Sequence, residues 1–362
     1  MPNHSQMQEI TIPEIVIKEI TTSKINQVDF EKLTFGNITT DYMLSCDYKN
    51  GKWDVPVIEP YAPLQLSPSA RVLHYGQAIF EGMKAYRDKQ DEVWLFRPLE
   101  NFMRFNKSAV RLAIPEIPKS VFMGGLMKLL QLEKAWVPKG IGNSLYIRPF
   151  VFATQSGVSA APSEEYKFMI LLTPVQAYYA GDVRVVIAEH FSRAANGGVG
   201  AAKAAGNYAA QFYPTNLARE KGFQQVIWTD DSTHEFLEEA GTMNVFFRIN
   251  NTLVTAPTSE RILDGITRKS IIDLAKSEGI DVEERKITVS ELLTAAQNKE
   301  LKEIFGTGTA AVISPVSAFS YKDEIYELPK SDKSYSAHLK KMLLNIQHNV
   351  TEDPFDWRIK VV

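Results

Sequence analysis

Apolar residues recur along the chain at two different spacings, and these spacings predict its helices and strands. In residues 98–115 they recur every three to four positions between two prolines, which predicts a helix. Residues 120–138 predict a second helix, and apolar runs elsewhere predict strands. The predicted strands are 92–98, 144–155, 166–174, 183–189, 224–229, 243–249, 252–256, 302–306 and 311–316, and the later helices are 207–221, 267–278, 288–298 and 333–349.

The order of these elements predicts an α+β protein with two domains. The first half alternates strands with helices in an α/β pattern, whereas the second half has more and shorter strands with helices outside them. Between the halves, the segment "VQAYYAGDV" (175–183) follows a proline and interrupts the pattern. We therefore predict an N-terminal domain at 1–174, an interdomain loop at 175–184 and a C-terminal domain at 185–362.

Composition and charge narrow the classes of function. The 362 residues carry a net charge of −3, and no basic block is interleaved with aromatic residues, so neither nucleic acid nor a membrane surface is an expected partner. No apolar run is long enough to span a bilayer, and the N-terminus does not resemble a signal peptide. Cys46 is the only cysteine, which fits a reducing compartment, and we expect the protein to be cytoplasmic. The six histidines lack metal-ligand spacing, so no metal site is expected.

The stretch "NGGVGAAKAAGNYAAQ" (196–211) holds a single lysine among small residues. Lys203 is the only side chain between Ala194 and Ala218 that is fully charged at neutral pH. A buried amine is a nucleophile that forms a Schiff base with an aldehyde, and glycines let a flat ligand come close. An alternative is the dinucleotide fingerprint, which "GVGAAK" (198–203) nearly matches, but that fingerprint must directly follow a strand. Pyridoxal 5′-phosphate is the leading candidate for an aldehyde cofactor.

That cofactor requires three more groups, and the sequence offers a candidate for each. Its ring nitrogen needs a carboxylate, for which Glu238 and Glu239 both qualify, although they face opposite sides of a strand. Its phosphate needs backbone donors, such as the helix start at 265–267 or the Gly/Thr turn in "FGTGTAA" (305–311). Its phenolic oxygen needs a donor, and Tyr208 lies five residues after the lysine.

Several stretches resemble the branched-chain amino acid aminotransferases, which are pyridoxal-phosphate enzymes of fold type IV. They are "TFGNITTDYML" (34–44), "LHYGQAIFEGMKAYR" (73–87), "GGVGAAKAAGNYAAQ" (197–211), "EEAGTMNVFF" (238–247), "LDGITRKSIIDLA" (263–275) and "FGTGTAAVISPV" (305–316). The resemblance implies a smaller N-terminal α/β domain and a larger C-terminal pseudo-barrel domain that binds the cofactor. It also implies reversible transfer of an amino group from L-leucine, L-isoleucine or L-valine to 2-oxoglutarate.

The resemblance assigns roles around the cofactor. Lys203 is implied to be the Schiff-base lysine and the catalytic acid and base. Glu239, rather than Glu238, is implied to pair with the ring nitrogen, and Tyr208 with the phenolic oxygen. The phosphate is implied to be held by Arg104, Ile266, Thr267 and Thr309. The role of Arg104 depends on the resemblance alone, because its position on the predicted helix gives no such signal.

The resemblance also assigns the substrate side. Thr242 and the backbone of Thr309 and Ala310 are implied to bind the α-carboxylate. Arg148 is implied to accept the distal carboxylate of glutamate. The residues implied to line the pocket for the branched side chain are Phe35, Phe80, Tyr146 and Tyr178, with Tyr75 reaching in from a second subunit. The loop "SGVSAAP" (156–162) is implied to close over the neighbouring subunit's pocket, so a homodimer is expected.

Alternatives remain open at this point. D-amino acid aminotransferases and aminodeoxychorismate lyases share the lysine and the glutamate, although "EEAGTMN" and "YIRPF" argue against them. A non-catalytic dinucleotide-binding protein and a cofactor-free Schiff-base lyase would each account for part of the pattern. Ala311 and Ser314 occupy positions where mammalian relatives carry a Cys-x-x-Cys pair, so a thiol switch of that kind is absent from this sequence.

Overall fold

The computed structural model of the chain describes residues 10–177, 183–330 and 333–362. Its strands are β1 Val16–Ile17, β2 Tyr42–Lys49, β3 Lys52–Trp53, β4 Val57–Pro60, β5 Ala78–Phe80, β6 Met83–Arg87, β7 Val93–Phe96, β8 Ser144–Ala153, β9 Tyr166–Val175, β10 Val183–Ile187, β11 Gln225–Thr229, β12 Leu237–Ala240, β13 Met243–Ile249, β14 Thr252–Thr255, β15 Val282–Glu284, β16 Leu301–Gly308, β17 Val312–Tyr321, β18 Glu324–Glu327 and β19 Arg358–Lys360. Its α-helices are α1 Arg71–Tyr75, α2 Pro98–Arg111, α3 Gly125–Leu132, α4 Gly206–Ala209, α5 Phe212–Glu220, α6 Ile266–Ser277, α7 Val289–Gln297 and α8 Tyr335–Gln347.

The first of two compact units is built on a ten-stranded, mostly antiparallel sheet. Its strand order is β1-β4-β2-β9-β8-β6-β7-β19, with β3 beside β2 and β5 beside β8. At the centre, β8 and β9 pair along their full length, from Ser144 opposite Val175 to Ala153 opposite Tyr166. These strands carry apolar residues on both faces, which is why the sheet is buried where they lie.

Helices of the first unit pack on this sheet through aromatic side chains. Phe105 of α2 lies 5.3 Å from Phe122 between ring centroids, and Phe122 lies 5.6 Å from Phe168 of β9. The predicted helix at 120–138 is interrupted: a turn of π-helix at Ser120–Gly124 precedes α3. A Cβ on Gly124 would lie 2.4 Å from the carbonyl oxygen of Thr11, so the close passage of the N-terminal segment requires glycine there.

The second unit, Tyr179–Leu344, contains a closed barrel. Its strands follow the order β12-β11-β10-β17-β16-β13, and β13 pairs back with β12 to close the ring, while β14 and β15 extend the sheet beyond β13. Side chains of the barrel strands form one buried apolar cluster, which includes Val185, Ile227 and Phe247. The predicted α+β fold with a C-terminal pseudo-barrel is confirmed, and the predicted strands from 183 to 316 correspond to barrel strands or to β14.

The C-terminal segment corrects the predicted domain boundaries. Residues Asn345–Val362 belong to the first unit rather than to the second. The reason is that β19 pairs antiparallel with β7, from Arg358 opposite Phe96 to Lys360 opposite Trp94. The guanidinium of Arg97 also lies 4.7 Å from the ring centroid of Trp357. Because the first unit gains this segment, it is the larger of the two, whereas the resemblance implied that the N-terminal domain is the smaller one.

Within residues 10–177, 183–330 and 333–362, no helix has both the length and the apolar character needed to cross a bilayer. The same ranges contain no group of three or more His, Cys, Asp or Glu side chains arranged to hold a metal ion.

A buried carboxyl lies where α3 ends in the first unit. Glu133 is 2% exposed, and its Oε1 accepts a hydrogen bond from the backbone N–H of Tyr42 at 2.5 Å. Burial raises the pKa of Glu133 to about 7, and the nearby charge of Asp41 acts in the same direction. The folded chain therefore holds this proton near neutral pH, where an unfolded chain has lost it.

The raised pKa predicts a pH dependence of stability. Because the folded pKa lies above the ordinary value of 4.5, stability from the protonated carboxyl is complete below about pH 4.5 and is lost as the pH rises through about 7. The loss amounts to at most about 3 kcal/mol. In Glu133→Gln the amide oxygen still accepts from Tyr42 and does not titrate, so thermal unfolding of this variant should depend less on pH across this window. Glu116→Gln, at an exposed site, is the control, and identical pH profiles for wild type and Glu133→Gln would contradict the assignment.

Candidate active site

The glycine-rich segment 196–205 is a loop that lies against the backbone of a second loop in the same unit. The N–H of Ala201 donates to the carbonyl oxygen of Glu260 at 2.8 Å. A Cβ on Gly200 would lie 2.8 Å from both the Cα and the carbonyl oxygen of Arg261, so this position requires glycine. The sequence suggested that the glycines let a flat ligand approach, but at Gly200 the small residue lets two backbone segments meet.

This loop does not form a dinucleotide fingerprint. Strand β10 ends at Ile187, and a long irregular segment separates it from α4, which begins at Gly206. The fingerprint requires a strand that leads directly into the glycine turn and a helix that leads directly out of it. The dinucleotide-binding alternative is therefore wrong.

Lys203 and Tyr208 lie together, as the sequence predicted. The Nζ of Lys203 donates a hydrogen bond to the hydroxyl oxygen of Tyr208 at 2.8 Å and lies 5.2 Å from the centroid of its ring. Between them, the side-chain amide of Asn207 donates to the carbonyl oxygens of Val199 at 2.7 Å and Ala202 at 3.0 Å. Asn207 thus ties the loop to the start of α4, which fixes the lysine relative to the tyrosine.

A tight hairpin places Glu239. Strands β12 and β13 are joined by the two residues Gly241 and Thr242, and Gly241 has a φ of +57° that suits glycine. In this register Glu239 pairs with Asn244. Alternation along the strand sends Glu238 to the other face, where its carboxylate accepts from Nε of Arg261 at 2.5 Å.

Three donors hold the buried carboxylate of Glu239. Its Oε1 accepts from the side-chain amide of Asn244 at 3.0 Å and from the N–H of Leu263 at 2.9 Å. Its Oε2 lies 2.7 Å from Nη2 of Arg193, and both of these side chains are 5% exposed. Burial raises the pKa of Glu239 above its usual value, although the charges of Arg193 and Lys203 act to lower it. The arrangement offers a carboxylate of fixed position beside an amine.

These groups surround one cavity of the second unit. Its lining residues are Arg193, Gly200, Ala202, Asn207, Tyr208, Gln211, Glu239, Gly241, Thr242 and Leu263. Tyr208, Glu239 and Thr242 of the sequence-predicted site therefore line the same space, and the hydrogen bond to Tyr208 brings Lys203 to it.

The predicted phosphate-binding residues of the second unit lie near Asn244. Helix α6 begins at Ile266, and a Cβ on Gly265 would lie 1.9 Å from Oδ1 of Asn244. Both Ile266 and Thr267 are buried in the first turn of this helix, whose free N–H groups favour an anion. On β16, Thr307 pairs with Asn244, and the turn that carries Thr309 and Ala310 follows directly.

The predicted substrate residues of the first unit form a separate aromatic cluster around Tyr146. Phe35 meets Tyr146 edge-on, with 4.9 Å between ring centroids. Nη2 of Arg148 donates to the Tyr146 hydroxyl at 3.0 Å, and its guanidinium lies 4.6 Å from the ring centroid of Phe80. A Cβ on Gly82 would lie 2.2 Å from that hydroxyl, so the tyrosine requires glycine there.

Two predicted site residues, Tyr75 and Arg104, have partners outside the groups described so far. Tyr75 is 46% exposed, and its hydroxyl donates to the carbonyl oxygen of Val158 in the loop 156–162. Arg104 belongs to the first unit, where Nε and Nη2 bind the two carboxylate oxygens of buried Glu81 at 2.7 and 2.9 Å. Tyr178 lies outside the described residues. The phosphate role of Arg104 and the pocket role of Tyr178 therefore stay predictions.

Sequence analysis missed Arg193, Asn244 and Glu81. A signal for Asn244 was present, because a two-residue turn at 241–242 makes it the cross-strand neighbour of Glu239. Arg193 and Glu81 have no local signal, since each is defined by a partner far along the chain.

Comparison with known proteins identifies the family. The profile described as "Amino-transferase class IV" matches residues 78–319, which is well over half of the chain. The chain belongs to the class IV aminotransferases. The family predicted from the motifs is therefore confirmed, and because these enzymes depend on pyridoxal 5′-phosphate, so is the predicted cofactor.

Relatives of this class IV aminotransferase align with nearly its whole length. A probable branched-chain-amino-acid aminotransferase of Staphylococcus epidermidis is 46% identical over 92% of this chain and 94% of its own length. Branched-chain-amino-acid transaminase 1 of Bacillus subtilis is 43% identical over 96% of this chain and 99% of its own length. The crystal structure of the Escherichia coli branched-chain amino acid aminotransferase matches with a TM-score of 0.72 at 26% identity, over 89% of this chain and 99% of the other.

The residues of this class IV aminotransferase fit its cofactor. An amine, a hydroxyl and a carboxylate meet at one cavity, in the combination that an aldehyde, a phenolic oxygen and a ring nitrogen require. Among the described residues, the buried Oγ1 of Thr307 and Nε of Arg193 have no hydrogen-bond partner. Such unpaired buried groups indicate hydrogen-bonding capacity that a polar ligand would use.

Asn244 provides a test of how the carboxylate is held. In Asn244→Ala, Glu239 loses one of its three donors, and the carbonyl oxygen of Leu263 loses a donor at 2.9 Å. We expect the dissociation constant of pyridoxal 5′-phosphate to rise about tenfold, as for a lost hydrogen bond to a buried charge. The measurement is a titration of the cofactor-free protein with the cofactor, followed by visible absorbance. Asn216→Ala, on the exposed face of α5, is the control, and equal affinities in both variants would contradict the assigned role.

Proposed function

We propose that this chain is a branched-chain amino acid aminotransferase. It transfers the amino group of L-leucine, L-isoleucine or L-valine to 2-oxoglutarate, and the products are branched 2-oxo acids and L-glutamate. The observation that carries the proposal is that Tyr208 and Glu239 line one cavity while Nζ of Lys203 donates a hydrogen bond to the Tyr208 hydroxyl. The names of relatives that align over more than nine-tenths of the chain support the substrate class.

Lys203 is the catalytic residue. When bound, pyridoxal 5′-phosphate supplies an aldehyde carbon that exchanges with amino groups and a ring that stabilises negative charge at the substrate Cα. Nζ of Lys203 would hold the aldehyde between turnovers. Once the substrate amine has displaced it, Nζ would take the proton from the substrate Cα and return it to the former aldehyde carbon. The hydrogen bond to Tyr208 keeps Nζ in place for both tasks. Each half-reaction releases its product before the next substrate binds.

Glu239 keeps the cofactor's ring nitrogen protonated, so that the ring can accept negative charge. Its three donors orient the carboxylate and prevent it from turning away from the cavity. The amides of Ile266 and Thr267, the Thr267 side chain and Thr309, with Arg104, bind the phosphate. Thr242 and the backbone at Thr309 and Ala310 bind the α-carboxylate of the substrate.

The cluster around Tyr146 accounts for the two kinds of substrate. Phe35, Phe80, Tyr146 and Tyr178 provide an apolar surface for a branched side chain. Arg148, with Tyr75 of a second subunit, binds the distal carboxylate of glutamate. The buried Nε of Arg148 has no hydrogen-bond partner among the described residues, which supports this role, because an unpaired guanidinium N–H favours an anion.

Replacement of Lys203 tests the central role. Lys203→Ala should lose the visible absorbance of cofactor attached to the lysine, and its turnover of L-leucine with 2-oxoglutarate should fall more than about 1000-fold. The measurements are a visible spectrum with and without leucine and the rate of glutamate formation. Lys221→Ala, which removes an exposed lysine paired with Asp323, is the control and should retain both.

Two outcomes would contradict this proposal. An intact absorbance band with normal activity in Lys203→Ala would remove the lysine from the mechanism. Consumption of only the D-enantiomer from racemic leucine would instead indicate a D-amino acid aminotransferase.

The proposal includes a cytoplasmic homodimer. Tyr75 and the loop 156–162, both predicted to serve the neighbouring subunit's pocket, lie together because the Tyr75 hydroxyl donates to Val158. Tyr75 is exposed within its own chain, which suits a residue that completes a site on another copy.

Mixing two inactive variants tests whether Tyr75 acts across the dimer. Refolding Tyr75→Ala together with Lys203→Ala gives mixed dimers in which one site has both an intact Lys203 and an intact Tyr75 from the other copy. Activity with 2-oxoglutarate should therefore exceed the sum of the two variants refolded separately. If Tyr75 serves its own chain, every site stays defective and the mixture gains nothing.

A further inference from the structure

The N-terminal residues 24–40 form a long loop with little regular structure, and both of its ends meet at Asp41. One carboxylate oxygen accepts from the N–H of Lys24 at 2.9 Å, and the other accepts from the hydroxyl of Ser23 at 2.5 Å. The second oxygen also accepts from Nε1 of Trp136 at 3.0 Å. The side chain of Asp41 therefore joins the two ends of this loop and ties them to Trp136.

The carboxylate of Asp41 is suited to this task. Burial alone would raise its pKa, but the hydrogen bonds from Ser23, Lys24 and Trp136 and the charge of Lys24 lower the pKa of Asp41 below its usual value. The group is therefore ionised at neutral pH and accepts all three hydrogen bonds at full strength. Trp136 is 1% exposed, so the loop is anchored to a rigid part of the first unit.

Phe35 lies within this loop, between its two ends. A turn closes there, with the N–H of Asn37 donating to the carbonyl oxygen of Thr34, and Gly36 takes a φ of +78°. Phe35 is 45% exposed, and its ring meets the ring of Tyr146 edge-on. Its position therefore depends on how the loop is held more than on packing around the ring.

The contacts of Arg148 do not depend on this loop. Arg148 binds the Tyr146 hydroxyl and lies over Phe80, and both partners are on strands of the central sheet. A loosened loop would thus disturb the apolar surface at Phe35 while the guanidinium stayed in place.

We propose that Asp41 is a positioning residue that sets the preference for branched aliphatic side chains by holding Phe35 over Tyr146. This rests on the proposed function, because it takes Phe35 and Tyr146 to line the substrate pocket. Asp41 itself touches neither substrate nor cofactor. Its effect is on the affinity for leucine and not on the chemical step.

A double-mutant cycle on the cofactor-loaded enzyme tests this. Asp41→Asn should raise the KM for leucine about fivefold, as for a weakened hydrogen-bond network, with kcat changed less than about twofold. The KM for glutamate should change less than that for leucine. The inhibition constant of 4-methylvaleric acid, which has a branched chain and no amino group to transfer, should rise with the leucine KM. In a Phe35→Ala background, Asp41→Asn should have no further effect on leucine.

Controls separate this role from general stability. Asp29→Asn alters an exposed carboxylate of the same loop and should leave every constant unchanged. Ser23→Ala removes one donor to Asp41 and should give a smaller rise in the leucine KM; it takes the place of Asp41→Asn in the cycle if that variant does not fold.

The outcomes are distinguishable. An equal effect of Asp41→Asn with and without Phe35 would overturn the proposal while leaving the pocket assignment intact. An unchanged leucine KM in Phe35→Ala would overturn the pocket role of Phe35 and this proposal with it. Neither result would affect amino transfer itself, which the Lys203 variant tests separately.

Discussion

The buried carboxylate of Glu239 is the constraint around which the second unit is arranged. An isolated charge at 4% exposure would be strongly disfavoured, so its donors are structural requirements. They come from three places: Arg193 from the loop before Lys203, Asn244 from the paired strand, and Leu263 from the segment leading into α6. By satisfying one carboxylate, the fold brings the lysine loop, the barrel and the segment that leads into α6 to a common point.

Much of this site could be predicted from the sequence because its signals are local. Lys203 lies among small residues, Tyr208 follows near a helix start, and the choice between Glu238 and Glu239 reduces to the alternation of a strand. Alternation does not tell which of the two glutamates faces the cavity. That depends on the pairing of Arg261 with Glu238 and of Arg193 with Glu239. Those arginines come from elsewhere in the chain, and no pattern near the two glutamates indicates them.

Elements of the fold that depend on local sequence were also predictable, whereas elements that depend on distant segments were not. Strands such as β8 and β9 were predictable from their apolar runs. The π-helical turn before α3 was not, and its Gly124 contacts the distant N-terminal segment, which no local pattern indicates. Nor was the place of β19, a three-residue strand whose partner β7 lies in the first third of the sequence.

The pairing of β19 with β7 makes the second unit an insertion within the first. A ribosome completes every strand of the barrel before it adds Arg358–Lys360, so the barrel can close while the edge of the other sheet, at β7, still lacks its neighbour. During synthesis β7 is an open edge, and such edges pair readily with other chains. Once Arg358–Lys360 pairs with β7, the edge of the sheet is β19, which has only three residues, and such short edge strands offer little for another chain to pair with.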